Sequence, residues 1–325
     1  MGLVQSSVVA KNPIEQGAGV SVIVVSDYAA GGTKGWDDIR TAVAALAKQD
    51  FGEPAEFLLV ESERFRSEFP SELTSALPEL KIHFLPDFTS YALKNEAVRM
   101  ASGEYVAILD ADCIPEPSWL RRLIGTLRSH SKAAAVSGKT IYPNQTFSSR
   151  VCALLARSYL DPGFAGRTRF IAINTCAFRR EAYLSHPLPT DIGTFSSALQ
   201  SEALLRDNWD LLFDPDIQVI HDFEGWGMEA DVRRNAGHGT IATRLKEPAM
   251  PWARLVRLGP GSIPVILAGK IFNSWKDCVR SGRSYGIRWS QLPAAMFISI
   301  AVHLLEVPGM LQAYRGRWLK SSFFR

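Results

Sequence analysis

The sequence predicts an α/β fold in which a mostly parallel central sheet is flanked by helices. In the first third of the chain, aliphatic runs alternate with segments whose apolar residues recur at helical spacing. Acidic residues directly follow several of these runs, and ligands of such sheets bind at the carboxyl ends of the strands. With 46% hydrophobic and 21% charged residues among 325, the chain can bury a substantial core.

Each element of this first part rests on a local pattern. Short apolar runs that end at acidic or turn-forming residues predict strands at 20–25, 57–60, 81–85 and 105–109. Apolar residues three and four positions apart predict helices at 36–49 and 90–101. Strands and helices that alternate in this way are typical of βαβ units.

The second half is less regular. Apolar runs predict strands at 133–136, 170–173, 211–213 and 217–220, and a helix is expected at 202–206. Two further apolar stretches follow, at 255–271 and 292–311. The second stretch is twenty residues long but contains His303, Glu306 and Pro308, which disfavours a simple membrane span.

The charge is unevenly distributed along the chain. Residues 244–325 hold 13 Lys or Arg and 3 Asp or Glu, a net charge of +10, whereas residues 1–243 carry a net charge of −7. Because the basic part is also apolar and rich in aromatic residues, with no nucleic-acid motif, an anionic membrane surface is the favoured partner. An interfacial or re-entrant helix, a single span and a soluble docking helix all remain open.

Cysteine and glycine patterns exclude several other classes of protein. The four cysteines show no Cys-x-x-Cys spacing, which argues against a disulfide scaffold and favours a reducing compartment. The chain also lacks the glycine-rich phosphate-binding motifs of P-loop NTPases and dinucleotide enzymes.

Asp110 and Asp112 form an Asp-x-Asp pair at the end of the strand at 105–109. Such a pair can bind a divalent cation, Mn²⁺ or Mg²⁺, and leave coordination positions for phosphate oxygens. The cation then stabilises negative charge on a diphosphate leaving group. Taken alone, the pair is weak evidence for a cation site, because a capping or turn pair before Pro115 is the more common explanation.

The segment around this pair resembles bacterial-type, membrane-associated family-2 glycosyltransferases, which have the GT-A fold. Lys94-Asn95, the turn at 101–104 (ASGE) and the segment at 109–112 (LDAD) occur in the order and spacing of that family. The resemblance extends from residue 20 to residue 221. With it, the chain divides into an N-terminal tail (1–19), a GT-A domain (20–243) and a basic, apolar helical region (244–325).

The resemblance implies a nucleotide-sugar donor and a divalent cation. By position, Asp112 would be the main metal ligand, and Asp110 would contact the metal or the ribose. Lys94 would lie near the diphosphate. His221, at the end of a strand, would complete the metal site or contact the diphosphate.

Three residues are implied to border the nucleoside. Glu61 stands where the family has an aspartate that bonds the base. Of the family's usual Pro-Thr-Tyr-Asn after the first strand, this chain keeps only Tyr28, preceded by Asp27. Solvated loop residues are the alternative for Glu61 and Asp27.

The family's reaction inverts the anomeric centre and needs one carboxylate base near the acceptor hydroxyl. Glu202 would be that base, because it stands where the family has Glu-Asp at a helix start. The second acid is absent, and Asp191 is the fallback base. The alternative for Glu202 is an acid that interacts with the helix dipole.

Two arginine pairs are also implied to serve the reaction. Arg233 and Arg234 would fold over the diphosphate as a basic flap, with a solvated helix face as the alternative. Arg179 and Arg180 lie in a segment similar to the acceptor side of the family.

The prediction is therefore a metal-dependent inverting glycosyltransferase at the cytoplasmic face of the cell membrane. Its acceptor would be a glycan, a lipid-linked sugar or a small molecule. Two alternatives remain open. One is a catalytically degenerate nucleotide-sugar-binding scaffold, and the other is a sugar nucleotidyltransferase, for which the glycine-rich segment 29–34 gives faint support.

Overall fold

The computed structural model describes residues 19–26, 36–143, 146–222 and 225–317. Asp27, Tyr28 and the segment 29–34 therefore lie outside the described residues. Within the described residues, one sheet has the strand order β3-β2-β1-β4-β8-β6-β9-β5, with β7 paired to β9. The strands are β1 (Val20–Val25), β2 (Ala55–Ser62), β3 (Leu80–Leu85), β4 (Tyr105–Asp110), β5 (Cys113–Pro115), β6 (Ala133–Ile141), β7 (Gly166–Arg167), β8 (Thr175–Arg179) and β9 (Asp210–His221).

The helices flank this sheet and then form a separate layer at the end of the chain. Those of the α/β part are α1 (Asp37–Leu46), α2 (Leu73–Ala76), α3 (Ser90–Met100), α4 (Trp119–Ser129), α5 (Phe147–Arg157), α6 (Arg180–Ser185) and α7 (Ser196–Arg206). Those of the helical layer are α8 (Trp226–Lys246), α9 (Ala253–Val256), α10 (Ile263–Ser281), α11 (Leu292–Leu304) and α12 (Val307–Tyr314).

The parallel half of the sheet confirms the α/β prediction. β1 lies between β2 and β4 and runs parallel to both. Every residue of β1 and β4 is buried, since helices cover both faces of the sheet. Each aliphatic side chain buried in this way contributes roughly 1.5–3 kcal/mol. The carboxyl ends of β1, β2 and β4 consequently meet at one edge.

Two expectations for the second half are wrong. The segment 170–173 is not a strand. The strand that pairs with β4 on the side away from β1 is β8, which begins at Thr175. Ile171 and Ala172 are nevertheless buried, because an apolar run can pack against the core without joining the sheet. The two short strands expected at 211–213 and 217–220 form one strand, β9, with a register shift opposite Gly138 that accommodates Pro215.

The predicted domain boundary at residue 243 falls inside α8, the first helix of this layer. α8 and α12 touch backbone to backbone. A Cβ added at Gly309 would lie 1.8 Å from the carbonyl oxygen of Arg234, and one at Gly237 would lie 2.0 Å from that of Glu306. Both crossing points therefore require glycine.

One C-terminal helical stretch has the length and composition of a membrane span. In the described part of the chain, Trp289–Tyr314 (26 residues) is the stretch that meets this criterion, and 39% of its most apolar window is buried inside the protein. The core helix of a soluble protein passes the same test, so this is weak evidence of membrane association.

Candidate functional site

Strand register brings Asp112 and His221 together. β5 pairs antiparallel with β9, with Cys113 opposite His221, and Asp112 immediately precedes β5. His221 Nε2 lies 3.1 Å from Asp112 Oδ2, and the Cys113 thiol donates to Asp112 Oδ1 over 3.4 Å. The potential ligand atoms of these three residues all lie within 4.8 Å of one another. Two residues far apart in the sequence thus form one compact group.

The chemistry of this group suits a divalent cation bound through Asp112 and His221. His221 Nδ1 lies 2.6 Å from the carbonyl oxygen of Asp222, so donation from Nδ1 leaves Nε2 available to a cation. Carboxylate and imidazole ligands both suit Mn²⁺, and a carboxylate suits Mg²⁺. Burial, followed by the charges of Asp112 and Asp110, raises the pKa of the Cys113 thiol, so this residue stays neutral rather than becoming a thiolate ligand.

Without a cation, His221 is held in its protonated form. Burial by itself would lower the pKa of His221, but the Asp112 carboxylate outweighs burial and raises the pKa to about 10. A bound cation requires the neutral imidazole, so cation binding would release this proton.

Asp110 and Lys94 form a second buried pair at the same edge. Lys94 Nζ lies 2.8 Å from Asp110 Oδ1, and the Lys94 side chain is fully buried. Lys94 comes from α3, which Thr89 caps by accepting a bond from the N–H of Ala92. Since Asp110 ends β4 next to Val25, the pair borders the end of β1.

Two motif residues outside this pair have structural roles. Asn95 accepts bonds from the Tyr183 hydroxyl and the Leu188 N–H, and it donates to the Leu188 carbonyl oxygen. It therefore fixes α3 to the segment after α6. Gly103 allows a turn to approach β1, because an added Cβ would lie 2.6 Å from the backbone nitrogen of Ser21.

Glu61 lies at the carboxyl end of β2, as expected, but its side chain is fully buried. One of its carboxylate oxygens accepts a bond from the N–H of Ser62 over 2.6 Å. Its partners in the proposed nucleoside contact, Asp27 and Tyr28, lie outside the described residues.

Arg157 was not expected from the sequence and lies near Asp112, Cys113 and His221, the candidate metal-binding group. Its Nε donates to the Tyr142 hydroxyl over 2.7 Å, and its Nη1 donates to Asn174 Oδ1 over 3.2 Å. The Tyr142 ring lies 5.4 Å from the ring of His221. Burial alone would lower the pKa of Arg157, but Tyr142 raises it, so the guanidinium stays charged. No motif surrounds Arg157, and only the tertiary structure reveals its position.

The two candidate bases each form an ion pair with a basic side chain. α7 begins at Ser196, so Glu202 is not at the helix start, and the expectation of a first-turn acid is wrong. Glu202 accepts a bond from Arg169 over 2.6 Å. Asp191 is exposed and pairs with Lys246 over 2.6 Å. Among the described contacts, neither carboxylate bonds to the Asp110–Asp112 segment.

Both arginine pairs have structural partners. Arg233 is buried on α8, pairs with Glu229 over 2.5 Å and donates to the Cys152 carbonyl oxygen. Arg234 pairs with Asp231. These contacts neutralise the guanidinium groups expected to cover the diphosphate.

Arg179 and Arg180 lie at the opposite edge of the sheet, because Arg179 is paired with Tyr105 at the start of β4. Their guanidinium groups donate to backbone carbonyls, including those of Leu127 and Val98. These bonds cap the ends of α4 and α3.

A cavity of about 310 Å³ separates the α/β part from the helical layer. The ends of α5 and α8, the start of α7 and the middle of α10 line it. Tyr159, which lines this cavity, follows Arg157 by two residues. The cavity therefore lies near the end of α5, from which Arg157 reaches Tyr142.

Comparisons with known proteins agree with this geometry. The family model for glycosyl transferase family 2 matches residues 22–186, just over half of the chain. No curated protein matches the sequence.

Solved structures with the same fold are distant in sequence. A mannosyltransferase from Pyrobaculum calidifontis, in complex with GDP-Man and Mn²⁺, shares 16% identity with a TM-score of 0.54. That match covers 89% of this chain and 88% of the other. GalNAc-T7 with UDP, GalNAc and Mn²⁺ shares 14% identity with a TM-score of 0.51, covering 73% of this chain and 52% of the other.

At this identity the structural matches establish the fold alone, which is that of GT-A glycosyltransferases. The family match includes Glu61, Asp110 and Asp112. The chain belongs to glycosyl transferase family 2, and the protein is a glycosyltransferase.

Proposed function

We propose that the protein transfers a sugar from a nucleoside diphosphate sugar to an acceptor hydroxyl, with a divalent cation held by Asp112 and His221. The juxtaposition of these two side chains at the carboxyl edge of the sheet carries the proposal. The structural neighbours complexed with GDP-Man and Mn²⁺, and with UDP and Mn²⁺, support the donor class. The sugar and the base of the donor are left open.

The chain's own residues supply charge and orientation around the diphosphate. When bound, the cation would stabilise the negative charge of the departing diphosphate. Lys94 holds Asp110 in place and adds a positive charge at the same edge. Arg157 offers a further guanidinium, which can form paired bonds to phosphate oxygens. Glu61, with Asp27 and Tyr28, is proposed to border the nucleoside.

The proposed stereochemical course is inversion, with Glu202 as the base and Asp191 as the fallback. The Glu202 side chain is 12% exposed, and its ion pair with Arg169 supports a fixed position for the carboxylate. Asp277 is a third candidate, because its carboxylate lines the cavity beside Ser158. The basic flap formed by Arg233 and Arg234 would require both of their ion pairs to break, so Arg157 is the better-supported cation.

The proposed location is the cytoplasmic face of a membrane, with the helical layer lying in the interface. Large apolar side chains are exposed there, among them Leu258, Phe272 and Phe297. Glu306 and His303, inside the candidate span, are buried and bonded to each other and to α10. These buried ionisable groups favour a helix that packs on the protein over one that spans the bilayer alone.

Donor turnover with matched variants tests the proposal. Nucleoside diphosphate release is followed for a panel of nucleotide sugars, with Mn²⁺ or Mg²⁺ and with the cation removed by chelation. We expect one donor to be consumed only with the cation, and Asp112→Asn to lower kcat/KM by at least 100-fold. Asp216→Asn is the control, since that aspartate is exposed on the same sheet.

The same assay separates the alternatives. Substituting Glu202, Asp191 and Asp277 singly by their amides identifies the base as the variant that binds donor but does not turn it over. Metal-dependent donor binding without turnover, across a panel of sugar acceptors, would favour the nucleotide-sugar-binding scaffold. Formation of a nucleotide sugar from a sugar phosphate and UTP or GTP would favour the nucleotidyltransferase. Cation-independent turnover would overturn the proposal.

A further inference from the structure

We infer that the cavity between the α/β part and the helical layer binds the acceptor, and that this acceptor is a sugar bearing an anionic group. The anionic group is a carboxylate or a phosphate, which share the chemistry that a guanidinium recognises. This assignment rests on the proposed function, because it names the molecule that receives the transferred sugar.

Arg244 is the residue that would bind the anionic group of the acceptor. Its Nε donates to the Pro251 carbonyl oxygen over 2.8 Å, and its Nη1 donates to the Thr240 carbonyl oxygen over 2.9 Å. Among the described residues, no carboxylate lies within ion-pair distance of this guanidinium, although Glu306 influences it from further away. Burial lowers the pKa of Arg244, so the cation is desolvated without a direct counter-charge. An anionic ligand would supply that charge.

The other cations of the cavity wall already have partners. Arg233 pairs with Glu229 over 2.5 Å, and Lys270 pairs with Glu306. His303 Nδ1 lies 2.8 Å from Glu306 Oε1. The charged groups on this side of the wall are therefore paired, and Arg244 is the charged group left for a ligand.

The opposite end of the cavity presents a carboxylate. Asp277 accepts a bond from the Ser158 hydroxyl over 2.9 Å and lines the cavity. It lies seven residues after Lys270 on α10, two helical turns or about 10 Å along the axis. Lys270 and Arg244 both donate hydrogen bonds to Thr240, so these two residues lie at the same end of the cavity. Asp277 therefore lies toward the other end. A ligand with an anion at one end and a hydroxyl at the other fits this polarity.

Aromatic side chains form much of the remaining wall. The ring of Tyr159 lies 6.3 Å from that of Phe170 and 6.0 Å from that of Phe195. The Trp252 ring lies 5.8 Å from the Arg244 guanidinium carbon. Flat apolar surfaces with a few placed polar groups are typical of small-molecule sites, and they suit the C–H face of a sugar ring.

Backbone strain is concentrated in this wall. Phe195 has φ 76° and Trp252 has φ 66°, and among the described residues only Asn208 is a further non-glycine residue with positive φ. Bulky residues rarely adopt this left-handed conformation. Such strain clusters at ligand-binding sites, where the surrounding structure holds it. Two of the three strained residues thus point to the cavity as a functional feature.

The size of the cavity limits the ligand. At about 310 Å³ it lies at the lower end of the range for small-molecule pockets, roughly 300–1,000 Å³. It therefore accommodates one sugar ring with its charged group, and a longer glycan or a lipid tail would extend outside.

Calorimetric binding with three probes tests the inference on the full chain. The probes are glucuronate, glucose 1-phosphate and the neutral methyl glucoside. We expect at least one anionic probe to bind tenfold or more tightly than the neutral one. The anionic probe that binds identifies the carboxylate or the phosphate as the recognised group. Equal binding of all three probes, or no binding at millimolar concentration, would overturn the inference.

Matched variants locate that binding. Arg244→Gln should weaken the anionic probe at least tenfold, whereas Arg254→Gln makes the same charge change at an exposed position and should not. Asn273→Asp adds a negative charge to the lining without removing a structural bond, so it tests the site even where Arg244→Gln unfolds. An unchanged affinity in a folded Arg244→Gln variant, or in Asn273→Asp, would contradict the inference.

The variant Asp112→Asn separates this inference from the proposed function. It should abolish cation-dependent nucleoside diphosphate binding and leave binding of the anionic probe unchanged. Loss of probe binding in this variant would place the probe at the metal-binding group and overturn the inference. Failure of nucleoside diphosphate to bind the unsubstituted protein would instead count against the proposed function alone.

Discussion

At the residue scale, two buried aspartates at the carboxyl edge of the sheet are each matched by a specific partner. Asp110 is paired with Lys94, and Asp112 with His221. Removing one partner of a buried pair leaves an uncompensated charge, which typically destabilises a protein by about 3–5 kcal/mol. The residues of each pair therefore depend on one another for stability.

The lowered pKa of Glu56 predicts that the protein loses stability as the pH falls. Burial would raise its pKa, but bonds from the Ser102 N–H, the Ser21 hydroxyl and Lys81 lower it to about 2. The stabilisation is fully present above the usual carboxyl pKa of 4.5 and is lost as the pH falls toward 2. Glu56→Gln should therefore lower the free energy of unfolding by about 1–3 kcal/mol at pH 7.

Urea denaturation at pH 7 and pH 3 measures this effect. The difference between the unsubstituted protein and Glu56→Gln should shrink at the lower pH. Glu53→Gln is the control, because Glu53 is exposed and pairs with Arg128 at the surface. An equal difference at both pH values would show that Glu56 does not act through its charge.

The position of Arg157 predicts that replacing its guanidinium lowers the affinity for nucleoside diphosphate. Arg157→Lys keeps the charge but removes the planar fork that bonds Tyr142 and Asn174. We expect the Kd of nucleoside diphosphate with Mn²⁺ to rise about tenfold, since one charge-assisted bond is worth roughly 1.5–3 kcal/mol. The exposed Arg167→Lys is the control, and equal affinities of the two variants would contradict a role in phosphate binding.

The decisive feature at the element scale is the close crossing of α8 and α12. Gly309→Ala should destabilise the protein by about 1–3 kcal/mol, because its Cβ would lie 1.8 Å from the Arg234 carbonyl oxygen and a helix backbone would have to shift. Gly227 lies in α8, and a Cβ added there would have no atom within 4 Å. Gly227→Ala should therefore be neutral or slightly stabilising. Thermal unfolding of both variants tests this prediction. Similar melting temperatures of the two variants would show that α8 and α12 cross less closely than the structure indicates.

The whole molecule presents an apolar face beside positive charges on its helical layer. Phe272 is 61% exposed and Phe297 is 73% exposed, on α10 and α11, which pack against each other. Lys276, Arg280 and Arg283 are exposed nearby in the sequence. Apolar surface next to basic side chains is the composition of an interfacial membrane contact.

Vesicle co-sedimentation tests this face. The full chain should bind vesicles containing anionic lipid, and the double variant Phe272→Ser, Phe297→Ser should bind several-fold less. Phe164→Ser removes an aromatic side chain that is 57% exposed in the α/β part, and it should bind like the unsubstituted protein. Undiminished binding of the double variant would assign membrane contact to another surface.

Local sequence patterns predicted the parallel half of the fold and part of the site. Short apolar runs gave β1 to β4 nearly to their ends, because buried parallel strands have a strong local pattern. The positions of Asp110 and Glu61 at strand ends followed from the same pattern. The antiparallel strands were predicted less well, since pairing between distant segments leaves little local trace, as the segment 170–173 illustrates.

The sequence by itself determined the fold class, the family and the acidic edge of the sheet, because these depend on local periodicity and on a compact motif. Only the tertiary structure determined which residues distant in the sequence contact one another. It brought His221 to Asp112 through the register of β5 and β9, and Arg157 to Tyr142. It also left Arg244 at a cavity without a direct counter-charge among the described residues. Such contacts join residues far apart in the chain, and their geometry depends on the packing of whole elements.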